Sequence, residues 1–134
     1  MTVDDQISRA GRALGAGRYD QIVAHYAFPL PIYVNGVAAV IATRPAAEAF
    51  YHALHGLIEA QGYGQFQGRA VSVELPKRGR FRVWTDWSGQ IEGRAQVLYQ
   101  TVCYNALTET GHRTEMVTME SRALREIERL LALA

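Results

Sequence analysis

The period of the hydrophobic pattern changes once along this chain, and that change limits the folds open to it. Apolar and polar residues alternate in the stretches Arg69–Leu75, Arg80–Trp87, Arg94–Leu107 and Arg113–Glu120, with turn residues between them at Lys77–Gly79, Ser88–Gly93 and Glu109–His112. Alternation marks half-buried strands joined by short turns, so this half predicts a four-stranded antiparallel meander. Before it the repeat is helical. Asp4–Leu14 carries Ile7, Ala10 and Leu14 at helical spacing, with an N-cap among Thr2, Asp4 and Asp5 and a stop at Gly15 or Gly17. Tyr19–Tyr26 carries a second stripe, Tyr19, Ile22, Val23 and Tyr26, which Pro29 ends. Pro31–Val34, Asn35-Gly36 and Val37–Ile41 form a hairpin, because Asn-Gly supplies the two positive φ angles of a type I′ turn. A helix over Thr43–Gln61 follows, capped by Thr43, opened by Pro45 and ended by Gly62, with Phe50, Leu54, Leu57 and Ile58 on one face.

A sheet whose helices are gathered on one side curls around them and encloses a pocket. The expected class is therefore α+β, a curved, mostly antiparallel sheet wrapped around N-terminal helices. Ser121 caps a C-terminal amphipathic helix in which Leu124, Ile127, Leu131 and Ala134 share a face. With no repeat, linker or low-complexity stretch, residues 1–134 are expected to form a single domain, large enough to need no staple.

Charge and cysteine content exclude several classes of partner. Lys and Arg number 14 against 13 Asp and Glu, and they are scattered, whereas phosphate binding needs a clustered basic face. Nucleic acid is not expected, and Lys77-Arg78-Gly79-Arg80 reads as a solvated hairpin tip. No apolar run approaches the ~20 residues that span a bilayer, so no membrane is expected either. Cys103 is the single cysteine, which forbids an intrachain disulfide and a cysteine-rich metal site. Met1-Thr2-Val3-Asp4-Asp5 is acidic where a secretory signal is basic, and a cytoplasmic location is expected.

Paired N-terminal helices, the stretch Ala27-Phe28-Pro29-Leu30-Pro31-Ile32-Tyr33-Val34-Asn35-Gly36, a helix and a long meander together resemble the nuclear transport factor 2-like superfamily. That superfamily is a curved, cystatin-like cone which also includes ketosteroid isomerases and polyketide cyclases. The resemblance covers the whole chain and rests on element order and length. It implies a small apolar ligand inside the cone and a homodimer through the outer sheet surface.

Centring each connection on its turn residues fixes a register, and with it the face of every strand residue. One face collects Val71, Val73, Leu75, Arg82, Trp84, Asp86, Ala95, Val97, Tyr99, Thr101, Cys103, Asn105, Met116, Thr118 and Glu120. Its continuous apolar lining with polar groups at the margin is how small-molecule sites are built, and it is assigned to the concave side. The other face, with Phe81, Val83, Trp87, Leu98, Val102, Tyr104, Val117 and Met119, is too apolar for open solvent and is assigned to the homodimer. An extra residue in any strand inverts the assignment beyond it.

On this register Asp86 lies beside Trp84 in an apolar lining that would raise its pKa toward the range of a general acid or base. Tyr26, Tyr33 and Tyr99 are the phenols available to a developing oxyanion, and Asp86 with Tyr99 is the expected catalytic pair. The expected ligand wall is Tyr26, Tyr33, Trp84, Val97, Thr101, Cys103 and Met116. Asp86 aligns with Ala95 and Glu120 with Thr101, roughly 20 Å apart along the strands at about 3.4 Å per residue, which forbids a two-carboxylate site. Glu120 is instead expected to pair with Arg82 or Arg122. His52, His55 and Glu59 occupy a solvated helix face without zincin spacing, His25 sits at the rim, and His112 belongs to a hairpin tip. No metal or cofactor is expected. The chain thus reads as a pocket-bearing domain for a small apolar molecule, or as a cofactor-independent isomerase, cyclase, dehydratase or hydrolase using Asp86 and a tyrosine.

Overall fold

The computed structural model describes residues 2–133. Helix α1 spans Val3–Gly15 and opens on a capping box: the Thr2 hydroxyl accepts from the Asp5 amide, and the Asp5 carboxylate accepts from the Thr2 amide. A one-turn helix α2, Tyr19–Ile22, runs into a 3-10 turn at Val23–His25. Strands β1 (Leu30–Val34) and β2 (Val37–Ile41) are joined by Asn35 and Gly36, both at positive φ, as the type I′ turn requires. Helix α3 (Arg44–Ala60) is capped by the Thr43 hydroxyl and has Pro45 in its first turn.

The meander follows as β3 (Gly64–Val73), β4 (Arg80–Ile91), β5 (Arg94–Thr108) and β6 (Gly111–Glu120). The six strands form one sheet in the order β2-β1-β6-β5-β4-β3, antiparallel throughout except where β1 runs parallel to β6. The architecture is the expected α+β cone. The β4–β5 turn is tighter than expected: it is Glu92 and Gly93 alone, and β4 continues through the Ser88–Ile91 stretch that reads as loop in the sequence.

The C-terminal segment departs from expectation in kind. It is a 3-10 helix at Ile127–Leu133, not an α-helix, and its buried residues are Ile127 and Leu130. Leu124 and Ile127 still join the main core, packed with α3 residues of the same chain, and the Ser121 hydroxyl accepts from the Leu124 amide while donating to the Leu98 carbonyl. Ala134 lies outside the described residues.

The main core fills the space between α3, the C-terminal segment and the β1–β6 side of the sheet, with Phe50, Leu54, Ile58, Leu30, Ile32, Val34, Ile41 and Val117 almost wholly excluded from solvent. A smaller cluster of Ile7, Phe81 and Val83 lies under α1. No helix among the described residues is long and apolar enough to cross a membrane.

Four bulges interrupt the meander and decide which side chains face the helices. Two are in β3 against β4, between Gly64 and Gln67 and between Ala70 and Ser72. A third makes Leu98 an extra residue of β5: Ser88 pairs with Val97, but Trp87 pairs with Tyr99. A fourth makes Glu115 an extra residue of β6, since Tyr104 pairs with Met116 and Asn105 with Thr114. The Leu98 bulge leaves Tyr99, Thr101, Cys103 and Asn105 on the concave side and turns β4 over beneath them. Phe81, Val83, Thr85 and Trp87 therefore face inward, while Arg82, Trp84 and Asp86 face outward. The Glu115 bulge does the same to the end of β6, bringing Val117 and Met119 in and putting Met116, Thr118 and Glu120 out.

Candidate functional site

Between α1 and the β3–β6 part of the sheet the cone is hollow. The cavity, of about 130 Å³, is walled by Ile7, Ala10 and Leu14 from α1, Ile22, His25 and Tyr26 after it, Tyr51 from α3, and an inner sheet face running from Phe66 to Val117. Small residues on α1 let it come close to β3: a Cβ on Gly11 would stand 3.2 Å from the Gly68 amide nitrogen.

Its floor is an aromatic slab. Phe66 and Trp87 stack with ring centres 5.6 Å apart and planes 2° from parallel, and Tyr99 lies against both at 6.0 and 6.1 Å. The Trp87 indole N–H donates to the Thr101 hydroxyl at 2.9 Å, which fixes the ring. Gly68 makes the slab possible, because a Cβ there would lie 2.4 Å from Trp87 Cζ3 and 2.8 Å from Ile7 Cγ2. Two further polar pairs sit in the wall: Tyr26 and Tyr51 share a hydrogen bond between their hydroxyls, and the Thr114 hydroxyl donates to Asn105 Oδ1 at 2.8 Å. Burial pushes the Tyr26, Tyr51 and Tyr99 phenols well above their ordinary value, and burial likewise pushes the Cys103 thiol up to about 11. These groups enter the cavity neutral at physiological pH.

The sequence-predicted residues divide between two sides of the sheet. Tyr26, Tyr99, Thr101 and Cys103 line the cavity. Asp86 and Trp84 do not: they line a second pocket, of about 440 Å³, on the outer face with Val71, Gln100, Val102 and Glu120. Asp86 accepts from Gln100 Nε2 at 2.6 Å instead of facing an apolar interior. Gln100 pairs with Asp86 on one side and Glu120 on the other, so the two carboxylates share one rung and are not six residues apart. Arg82 pairs with Glu74 and rides over Trp84 at 4.8 Å. Val97 is 44% exposed and Tyr33 39% exposed, and neither reaches the cavity. Met116 is paired with Tyr104 on the outer face. The residues assigned to the dimer face change accordingly, since Phe81, Val83, Trp87, Val117 and Met119 are inner and Val102, Tyr104, Trp84 and Tyr33 are outer.

Several wall residues were missed in the sequence. Phe66 and Gly68 fall before the point where alternation becomes obvious, although Phe66, Gly68 and Ala70 do alternate. His25 and His112, read as rim and hairpin tip, both line the cavity and stack on each other at 5.5 Å, with Phe81 edge-on to His112 at 5.8 Å. On the far side of α3, His55 is not a freely solvated group: its Nδ1 is 2.8 Å from the Tyr19 hydroxyl and its Nε2 3.1 Å from Glu59 Oε1, a clamp that ties α2 to α3. No cluster of three or more His, Cys, Asp or Glu with metal-binding geometry occurs among the described residues.

No protein-family model matches the sequence, and no curated protein matches it. Solved structures do match the fold. A nuclear transport factor 2-like protein with a cystatin-like fold from Novosphingobium aromaticivorans aligns with a TM-score of 0.64 at 15% identity, over 96% of this chain and 86% of that one. A ketosteroid isomerase-like protein from Erwinia carotovora atroseptica aligns at 0.58 and 15% identity, over 88% and 95%. A domain of unknown function with a cystatin-like fold from Nostoc punctiforme aligns at 0.63 and 12% identity, over 98% and 85%.

Proposed function

We propose that this chain, which has the nuclear transport factor 2-like cone fold, holds one small and largely apolar molecule in the cavity under α1. The observation that carries this reading is the cavity itself: about 130 Å³ over an aromatic floor, with the Tyr26–Tyr51 and Thr114–Asn105 pairs in its wall and no Asp or Glu among the described residues that line it. An apolar cavity of this order holds a single ring. A flat ring laid on Phe66, Trp87 and Tyr99 gains stacking as well as area burial.

Catalysis by a cofactor-independent isomerase, cyclase, dehydratase or hydrolase is the second reading, and the Tyr26–Tyr51 pair favours it. In this pair one phenol donates to the other, which leaves a single O–H, strengthened by that bond, to donate to an oxygen on which charge develops. Asp86 is too far outside to serve, so the proton would pass through His25 or His112.

The outer face, with Trp84, Val102, Tyr104, Met116 and Tyr33, is proposed as the surface of a homodimer, and the free thiol of Cys103 suits the reducing cytoplasm. Sedimentation should give a dimer for the native chain and a monomer for Trp84→Arg; a monomer throughout removes the dimer from this reading.

The binding reading is tested with Trp84→Phe, in which Trp87 is the sole remaining indole. Titration with single-ring probes such as benzyl alcohol and cyclohexanol should change its emission saturably. Emission unchanged through millimolar concentrations of every probe, with no increase in melting temperature, would overturn it.

A further inference from the structure

We infer that the cavity selects an apolar carboxylic acid, its ring on the aromatic floor and its carboxylate at the mouth against His25, His112 and Arg9. The inference deepens the binding reading above and rests on it. Three residues of the cavity wall can carry positive charge, Arg9 from α1, His25 from the turn after α2 and His112 from β6, while among the described residues of that wall there is no Asp or Glu and burial keeps its phenols and its thiol neutral. An uncommitted cavity in a chain with nearly balanced charges has no reason to sort them so completely.

The placement of the three suits a carboxylate that keeps part of its water. His25 and Arg9 are exposed and His112 half-buried, so the charged end of a ligand is never taken fully out of solvent while its ring is. The stacked imidazoles are 5.5 Å apart and 29° from parallel, close enough for one anion to be shared between two charge-assisted donors. Burial and the neighbouring His25 hold His112 below its ordinary value, so in the empty protein this end of the cavity is short of the charge a carboxylate would supply a reason to take up.

The carboxylates of the surrounding elements are occupied or turned away. Asp5 of α1 is tied into the Thr2 cap, Asp20 of α2 pairs with Arg18, and Glu115 of β6 pairs with both Arg80 and Arg113. Asp4 and Glu109 are exposed and absent from the wall. Among the described residues no Asp or Glu competes with the ligand for the histidine pair.

Binding should therefore take up a proton. A ligand carboxylate ionises above about pH 4–5 and an imidazole loses its proton above about 6.5, so affinity should peak between the two and fall on either side. The test compares benzoate with benzyl alcohol, its neutral counterpart of similar size, on the Trp84→Phe chain at pH 5.5 and pH 8.0. Benzoate should bind ~10-fold more tightly at the lower pH, one unit of linked proton affinity, while benzyl alcohol binds equally at both. His25→Gln and His112→Gln should each flatten the pH profile of benzoate binding, while benzyl alcohol binding stays independent of pH in both variants. In the native chain, titration followed by imidazole NMR signals should show at least one of the two histidines shifting upward on adding benzoate.

Equal affinities for the two probes at both pH values, or a benzoate profile unchanged in both histidine variants, would overturn the acid preference and leave the cavity reading standing. Failure of both probes to bind would overturn the cavity reading and this inference with it.

Discussion

The two halves of the sheet are covered by helices of different make, and the contrast explains why one is solid and the other hollow. Under α3 the strands β1, β2 and β6 meet a helix carrying Phe50, Leu54 and Ile58 on one face, with Leu124 and Ile127 closing the remaining gap. Large side chains interdigitate there and leave nothing to fill. Under α1 the strands β3, β4 and β5 meet Ala10, Gly11, Ala13 and Leu14, which bring the helix backbone close at one end but supply little volume. The space is kept open by rings that brace one another, not by helix side chains. A core and a binding site are thus made on one sheet by changing the size of the residues that cover it.

Equal truncations on the two sides should be unequal in effect. Leu54→Ala, in the solid half, should cost about 2–5 kcal/mol, because the cavity it leaves cannot collapse. Ile7→Ala, beside a space already present, should fall at or below the low end of that range. Urea midpoints of both variants measure the difference, and equal losses would break the contrast.

Gly68→Ala probes what holds the hollow half open. The methyl group must displace Trp87 or Ile7, so a loss of ~1–3 kcal/mol from overpacking is expected, together with a shift in indole emission. A stable variant with unaltered emission would show that the slab is not seated on this glycine.

The Tyr26–Tyr51 pair tests whether the cavity wall behaves as protein interior. Tyr26→Phe strands a buried hydroxyl on Tyr51 and should cost about 1–3 kcal/mol. Replacing both by Phe removes both polar groups and should cost less than the sum of the single changes. Additivity would mean that water reaches the wall and satisfies whichever hydroxyl is left.

The smallest effect is invisible at neutral pH. Cys103 titrates near 11 in the folded chain against an ordinary value of 9.0, so the unfolded chain gives up its proton first as the pH rises. Stability from this group is whole below about 9 and lost progressively between 9 and 11. The buried phenols of Tyr26, Tyr51 and Tyr99 add a loss of the same sign above their ordinary 10.0. Cys103→Ala should lose less stability than the native chain does between pH 7 and pH 11, read from denaturation midpoints of both chains at each pH. No relative gain in that window would place the thiol in contact with solvent.

The parts of this fold governed by local chemistry were legible in the chain. Asn35-Gly36, the Thr43 and Pro45 start of α3 and the Thr2 cap of α1 each carry their own reason for the backbone they adopt. The faces of the meander were not, because a bulge is a relation between two strands and leaves a weak mark on either. Leu98 beside Tyr99 is such a mark, two consecutive large apolar side chains that are both buried within the strand. Overlooking it kept Tyr99, Thr101 and Cys103 on the correct side and sent Asp86 and Trp84 to the wrong one. The histidines escaped for a different reason: His25 and His112 are far apart in sequence, and no spacing rule brings a helical turn and a hairpin tip together.

Leu98 also makes the sheet behave like a text with a reading frame. Removing that one residue would not simply shorten β5; it would shift the phase of everything on one side of it, so that either β4 presents Trp84 and Asp86 to the interior or β5 surrenders Tyr99 and Cys103 to the outside. Substitution edits such a site one letter at a time. A single deletion here would exchange an entire row, turning a wall without acids into one that contains Asp86.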